Sequence, residues 1–260
     1  FDAACKLADE RGIRVTGSEL VGLIPLDAII MAGKYYLQKQ GRTIGVPESD
    51  IIESAVQSLG LNDVTPFVPK EKIIEFAVGE KSGNLMSLSV DGFTNELSSN
   101  SPAPGGGSVA ALAGSLGAAL SSMVAALTHE KKGFESQKIE MDMIGQNAQA
   151  IKDRLSFLVD EDTHAFNKVM AANRLLASND EEKTMKADAV LKANQYAIDI
   201  PFEVATLCYS IIELADVLVS KGNPNSVSDA GVAAEVALAG VRGAAMNVLI
   251  NLPSVDDEAY

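Results

Sequence analysis

The sequence predicts a mainly α protein: an all-α, up-and-down helical bundle preceded by an incomplete α/β segment. Three observations predict it. From Ser89 onward, apolar residues recur at helical spacing almost without interruption, and no alternating strand pattern of comparable strength appears. Before that, one helical stretch, one β-branched run and two more helical stretches do not add up to a closed α/β domain. Between the two parts, two prolines in 65–69 and the polar turn-like residues 79–84 mark a join. The organisation read from this is an incomplete α/β segment over 1–68, a linker over 69–86 and a helical domain over 87–260.

Taken in order, residues 2–11 place Ala4, Leu7 and Ala8 on one helical face, and Gly12 stops them. Residues 13–24, rich in Ile, Val and Thr, predict one strand or two short ones broken at Gly17. Pro25 suits the first turn of a helix over 26–40, and Gly60 closes a second helix over 48–59. In the second part the spacing predicts helices over 89–99, 108–130, 134–173 with a break near Gly145, 180–198, 201–221 and 228–250.

The chain is organised around Pro102-Ala-Pro104-Gly105-Gly106-Gly107-Ser108 and the uncharged run behind it, 109–127. Two prolines and three glycines cannot sit inside a helix, so they form a loop that opens one, with Ser108 or Gly107 placed to cap it. The free amides of such a first turn suit a polar or anionic ligand. Gly105-x-Gly107-x-x-Ala110 formally fits a dinucleotide fingerprint, but no buried strand precedes it. A phosphate loop is excluded because no Lys-Ser or Lys-Thr pair follows. The run after the loop is nearly long enough to span a bilayer, yet it is mostly Ala, Gly and Ser, with no aromatic residue at its ends. Small residues repeat every four positions, as in Ala110, Gly114, Ala118 and Ser122. That predicts the central helix of a bundle, with neighbouring backbones close by.

A formal net charge of −14 argues against nucleic acid and against an anionic membrane surface. Cys5 and Cys208 lack metal-ligand spacing and fit reduced thiols in a cytoplasmic setting, and two histidines, His129 and His164, make a metal site improbable. The chain begins at Phe1 with no signal-peptide pattern and reads as a piece of a longer protein.

On a helix over 155–169, Leu155, Leu158, Val159, Asp162, Phe166 and Val169 fall on one stripe, so Asp162 occupies an apolar position. Asp160 falls on the opposite side, with Asp153, His164 and Lys168, where a solvated, paired face is expected. Burial raises an aspartate's pKa and suits it to general acid/base work; the alternative is a structural Asp satisfied by a helix end or a Lys. Residues 222–229 form a turn with several caps, and Asn247 and Asn251, four apart, share a face of the helix it opens.

Four blocks in order carry a resemblance: Ser101-Pro-Ala-Pro-Gly-Gly-Gly-Ser-Val-Ala-Ala, Leu158-Val-Asp-Glu-Asp-Thr-His-Ala-Phe166, Gly222-Asn through Ser228-Asp229, and Asn247-Val-Leu-Ile-Asn251. Residues 87–260 closely resemble the formimidoyltetrahydrofolate cyclodeaminase family. Residues 15–25 and 69–75 resemble the C-terminal end and linker of glutamate formimidoyltransferase, which is fused ahead of the cyclodeaminase in bifunctional enzymes. The resemblance implies ring closure of 5-formimidoyltetrahydrofolate to 5,10-methenyltetrahydrofolate with loss of ammonia, in histidine degradation. It implies Asp162 as the proton acceptor, the residue its helical position had singled out. Pro104, Gly105, Gly106, Gly107, Ser108, Asn223, Asp229, Asn247 and Asn251 are expected to bind the folate, and Lys131, Lys132 and Arg242 are candidates for its glutamyl tail. It implies no metal, no tightly bound cofactor, and a site built between subunits of a helical homodimer or larger homo-oligomer. No formimidoyl transfer is expected from this chain alone, because both histidines lie in the helical part. The competing readings are a methenyltetrahydrofolate cyclohydrolase on the same scaffold and a non-catalytic folate-binding or assembly module.

Overall fold

In a computed structural model of the chain, residues 1–78 and 84–255 are described. Two compact units divide it, 1–82 and 83–260. In the first, α1 (Asp2–Asp9), α2 (Leu26–Lys39) and α3 (Glu48–Leu59) are followed by two short helices, α4 (Pro69–Lys72) and α5 (Ile74–Val78). Its core gathers Ile29, Ile52, Ala55, Val56, Leu61, Phe67 and Ile73. Asp2 ties α1 to α2 by accepting from Tyr35 at 2.8 Å, Tyr36 at 3.0 Å and Lys39 at 2.6 Å. Gly60 closes α3 in the left-handed conformation, φ 63°, that glycine adopts without strain.

Two expectations for this part need correction. The strand over 13–24 does not form among the described residues: the stretch has a single parallel bridge, Ile24 with Ile73, and Val21 is 91% exposed. β-branched composition alone does not make a strand where no neighbour supplies a ladder. The predicted linker 69–86 begins inside the first unit, because Ile73 is fully buried in its core and Ile24 is bonded to main chain on both sides of it. Residues 79–83 of that linker lie outside the described residues.

In the second unit, α6 (Val90–Leu97), capped by Ser89 at 3.0 Å, precedes four long helices: α7 (Gly106–Glu130), α8 (Lys138–Asn173), α9 (Asp180–Lys221) and α10 (Val227–Asn251). Successive long helices pack side by side, α7 packs against α10 to close the ring, and α7 also touches α9. This is the up-and-down bundle that the sequence predicts. Its core runs through Ala110, Ala111, Ala118, Leu155, Leu158, Val159, Val204, Cys208, Ile211 and Ala237. Where α7, α9 and α10 meet, the Cys208 sulfur fills the space that side chains at Gly114 and Gly240 would need. The small-residue repeats of α7 and α10 thus serve close helix approach. α7 and the 224–254 stretch are each long and apolar enough to cross a membrane by composition, but α7 is the bundle's inner helix.

Two predicted breaks are absent. Gly145 lies buried inside α8, which runs unbroken. Pro201 lies inside α9, which joins the two helices predicted on either side of it. A proline lacks the N–H that would bond the carbonyl four residues back, here Ala197. The Asn251 side-chain amide donates to that Ala197 carbonyl at 2.9 Å, so the interruption is repaired from α10.

Candidate active site

The first turn of α7 leaves four main-chain amides without helical partners, and its N-cap, Gly105, has no side chain to serve them. Asp162 on α8 does so instead. Its Oδ2 accepts the Ser108 backbone N–H at 2.9 Å and lies 3.1 Å from the Ser108 hydroxyl, which also donates to the Val159 carbonyl at 2.8 Å. Ser108 is fully buried. Oδ1 has no partner among the described residues. A methyl group on Gly107 would overlap this carboxylate, so only glycine permits the approach.

Burial pushes the Asp162 carboxyl above its ordinary value, and the hydroxyl and main-chain bonds from Ser108 pull against that. The sequence placed Asp162 in an apolar register, and that register is observed: Leu155, Leu158 and Val159 are fully buried, while Asp162, Phe166 and Val169 turn towards a cavity. Asp160 differs from the solvated face expected for it. It is half-buried, and its Oδ1 accepts the Leu85 N–H at 2.7 Å.

The cavity, about 530 Å³, is bounded by the Gly loop, the C-terminal half of α8, the middle of α9 and the end of α10. Gly105, Gly106, Gly107, Asp162, Asn247 and Asn251 of the predicted residues line it. The first unit has a separate, more apolar concavity around Ile52, Phe67 and Phe76.

The other predicted residues are placed differently. Pro104 is buried behind the loop, after a cis Ala103–Pro104 bond. Ser108 faces Asp162 and Val159 rather than the cavity, because both of its donors are already engaged there. Asn223 and Asp229 lie at the other end of the bundle. Asn223 accepts from Lys131 and donates its main-chain N–H to Thr128 Oγ1 at 2.9 Å, near the C-terminus of α7, and Asp229 sits in the first turn of α10. The 25 residues of α7 put these roughly 35 Å from Gly106. Lys131 is thereby occupied within the chain.

Asn173 on α8 and Asn194 on α9 also line the cavity, and sequence reasoning missed both. Asn194 was findable, since it lies four positions before the buried Ile198, a polar residue in an apolar register like Asp162. His164 lies near Glu161 on an exposed surface, and His129 is buried at the end of α7. Among the described residues no three His, Cys, Asp or Glu side chains converge as a metal site.

The formiminotransferase-cyclodeaminase family profile matches residues 89–260, and that of the formiminotransferase domain matches residues 1–79. Formimidoyltransferase-cyclodeaminase from Mus musculus is 36% identical over 262 residues, covering 100% of this chain and 48% of that protein. The chain therefore spans about half the length of such relatives. A methenyltetrahydrofolate cyclohydrolase from Methylorubrum extorquens is 38% identical over 171 residues, 66% of this chain and 82% of that one. The crystal structure of formiminotetrahydrofolate cyclodeaminase from Thermotoga maritima superposes with a TM-score of 0.61 at 31% identity, covering 68% of this chain and 84% of that one. A profile matched over most of the chain, relatives aligned over the whole of this chain and a shared helical architecture lead to one conclusion: the chain belongs to the formiminotransferase-cyclodeaminase family.

Proposed function

We propose that the helical unit is a formimidoyltetrahydrofolate cyclodeaminase, an ammonia-lyase that closes 5-formimidoyltetrahydrofolate to 5,10-methenyltetrahydrofolate. The observation that carries this reading is Asp162. Its carboxyl is raised by burial, held at one oxygen by Ser108 and set on the wall of a cavity large enough for a pterin. N10 of the folate attacks the amidinium carbon on N5, forming the N10–C bond. Asp162 takes the proton from N10 and returns it to the amino group. The C–N bond to that group breaks, and ammonia leaves with the methenyl cation behind it. Charge and atoms balance without a metal or a tightly bound cofactor.

The match of residues 1–79 to the formiminotransferase domain supports cyclodeamination, because a formimidoyl group is what such a domain delivers. The same match supports a place in histidine degradation. Formimidoyl transfer is not assigned to this chain, since neither histidine falls within those residues. Two unpaired cysteines suit a cytoplasmic setting.

The exposed apolar stripes of α7 (Val109, Leu116, Met123, Leu127) and α10 (Val232, Met246, Leu249) support a homodimer formed on these helices. Cyclohydrolysis of methenyltetrahydrofolate is the second reading, favoured by the similarity to the Methylorubrum enzyme. The test is to add 5-formimidoyltetrahydrofolate and follow the near-ultraviolet absorbance of methenyltetrahydrofolate and the release of ammonia. Formation of both by the parent, and a loss of about a hundredfold or more in Asp162→Asn, supports the proposal. A folded chain that only hydrolyses methenyltetrahydrofolate refutes it in favour of the second reading.

A further inference from the structure

The four asparagines that line the cavity share one habit. Asn173 donates its side-chain amide to the Val169 carbonyl at 2.9 Å, Asn194 to Ser254 at 2.9 Å, Asn247 to Gly243 at 2.8 Å and Asn251 to Ala197 at 2.9 Å. A main-chain carbonyl only accepts, so the atom facing it must be nitrogen, and this fixes which way each amide is turned. The four carbonyl oxygens have no partner among the described residues. The Ser254 hydroxyl is likewise engaged by the protein, donating to the Asn251 main-chain carbonyl at 2.5 Å.

Around the cavity, then, each side-chain amide spends one of its two donors on the protein while its acceptor oxygen is left to a ligand. Each amide nitrogen keeps one hydrogen, but each oxygen keeps both lone pairs, and Asp162 Oδ1 adds a fifth acceptor. No Lys, Arg or His is among the described residues lining the cavity. Main-chain donors remain at the α7 N-terminus, where the Gly105, Gly106 and Gly107 amides have no helical partner. Such a wall leaves an anion or a carbonyl facing unpaired lone pairs, and it complements a positively charged group that donates several hydrogen bonds.

We infer that this cavity recognises its ligand by accepting hydrogen bonds from a cationic, donor-rich group. On the reading proposed above, it selects the amidinium of a 5-formimidoyl substrate over the neutral formyl group of the same shape. The anionic glutamyl end of a folate lies outside it. An amidinium carries two N–H bonds where the formyl group has a lone-pair oxygen, so the two ligands differ in hydrogen-bond polarity and charge rather than in size.

The test is a calorimetric titration of the full chain with 5-formimidoyl-6-methyltetrahydropterin and 5-formyl-6-methyltetrahydropterin. Both lack the arm that carries N10, so neither can cyclise. The expected result is that the formimidoyl ligand binds tighter by about tenfold or more. Asn247→Leu, which leaves the Asn194 and Asn251 contacts in place, is expected to narrow that gap. Equal affinities, or no binding of either ligand to the folded chain, overturn the inference. Assaying methenyltetrahydrofolate formation on the same sample separates the two ideas: product without preference overturns this inference alone, and preference without product overturns the proposed function alone.

Discussion

Asp162 on α8 accepts the Ser108 backbone N–H of α7 at 2.9 Å, so the carboxylate that faces the cavity also caps the bundle's inner helix. One oxygen has a structural duty and the other is left for chemistry. The positive end of the α7 dipole and the Ser108 hydroxyl favour its charged form, against burial, which does not.

Ser108→Ala removes the hydroxyl and keeps the main-chain bond. Asp162 then holds its proton to higher pH, and the acid limb of the kcat/KM profile is expected to move upward while the alkaline limb stays. An unmoved acid limb would show that Ser108 does not govern the group that titrates.

The same balance sets a dependence of stability on pH. A carboxyl whose folded pKa lies above its unfolded value stabilises the fold most below about pH 4, and that contribution is lost as pH rises through the folded value. Asp162→Asn, which does not titrate, is therefore expected to gain stability relative to the parent between pH 4 and pH 7. Denaturant melts of both proteins at the two pH values read the difference directly, and a gap that is constant or moves the other way contradicts the assignment.

Gly107→Ala places a methyl group on the Asp162 carboxylate. Either the carboxylate or the first turn of α7 must shift, at about 1–3 kcal/mol of stability. Activity is expected to fall more steeply than stability, because the displaced group is the proposed base. Thermal melting and turnover measured together decide whether the two losses separate.

Asn251→Ala leaves the Ala197 carbonyl without a donor, at a cost of about 1–3 kcal/mol. Pro201→Ala supplies the missing main-chain N–H. In that background the loss caused by Asn251→Ala is expected to shrink, so a double-mutant cycle by urea unfolding should give a clear coupling. Additive losses would mean that the amide does not act as the replacement for Pro201.

The two cysteines should differ in reactivity. Cys208 is fully buried between Gly114 and Gly240, and burial pushes its thiol up to about 12, whereas Cys5 is partly exposed. Titration with a thiol reagent is expected to modify one thiol in the native protein and two after unfolding.

The sequence was informative wherever a pattern is local and periodic. The helices of the bundle, the loop that opens α7 and the position of Asp162 follow from spacing along one stretch of chain. The continuity of α9 did not, because Pro201 breaks a helix by every local rule and its remedy lies 50 positions further on, in Asn251. Ser108 was expected to face a ligand because first-turn amides usually do. The carboxylate that engages it comes from another helix, 54 positions away, and only packing brings the two together. Residues 13–24 carry a strand's composition without a strand's partner. The Asn223–Asp229 block was grouped with the site through family resemblance, which preserves order along the chain but not distance within one subunit.

The cavity draws its walls from residues 102 to 254, and its early and late stretches meet: Gly106 lies beside Asn247, 141 positions later. A helical bundle usually folds fast because its contacts are local. Here the pocket closes only after α10 has returned to α7, so on the ribosome the carboxylate of α8 emerges long before the wall that completes its surroundings. Assembly of this site is a late, long-range event, and stopped-flow refolding should find binding competence lagging behind helix formation.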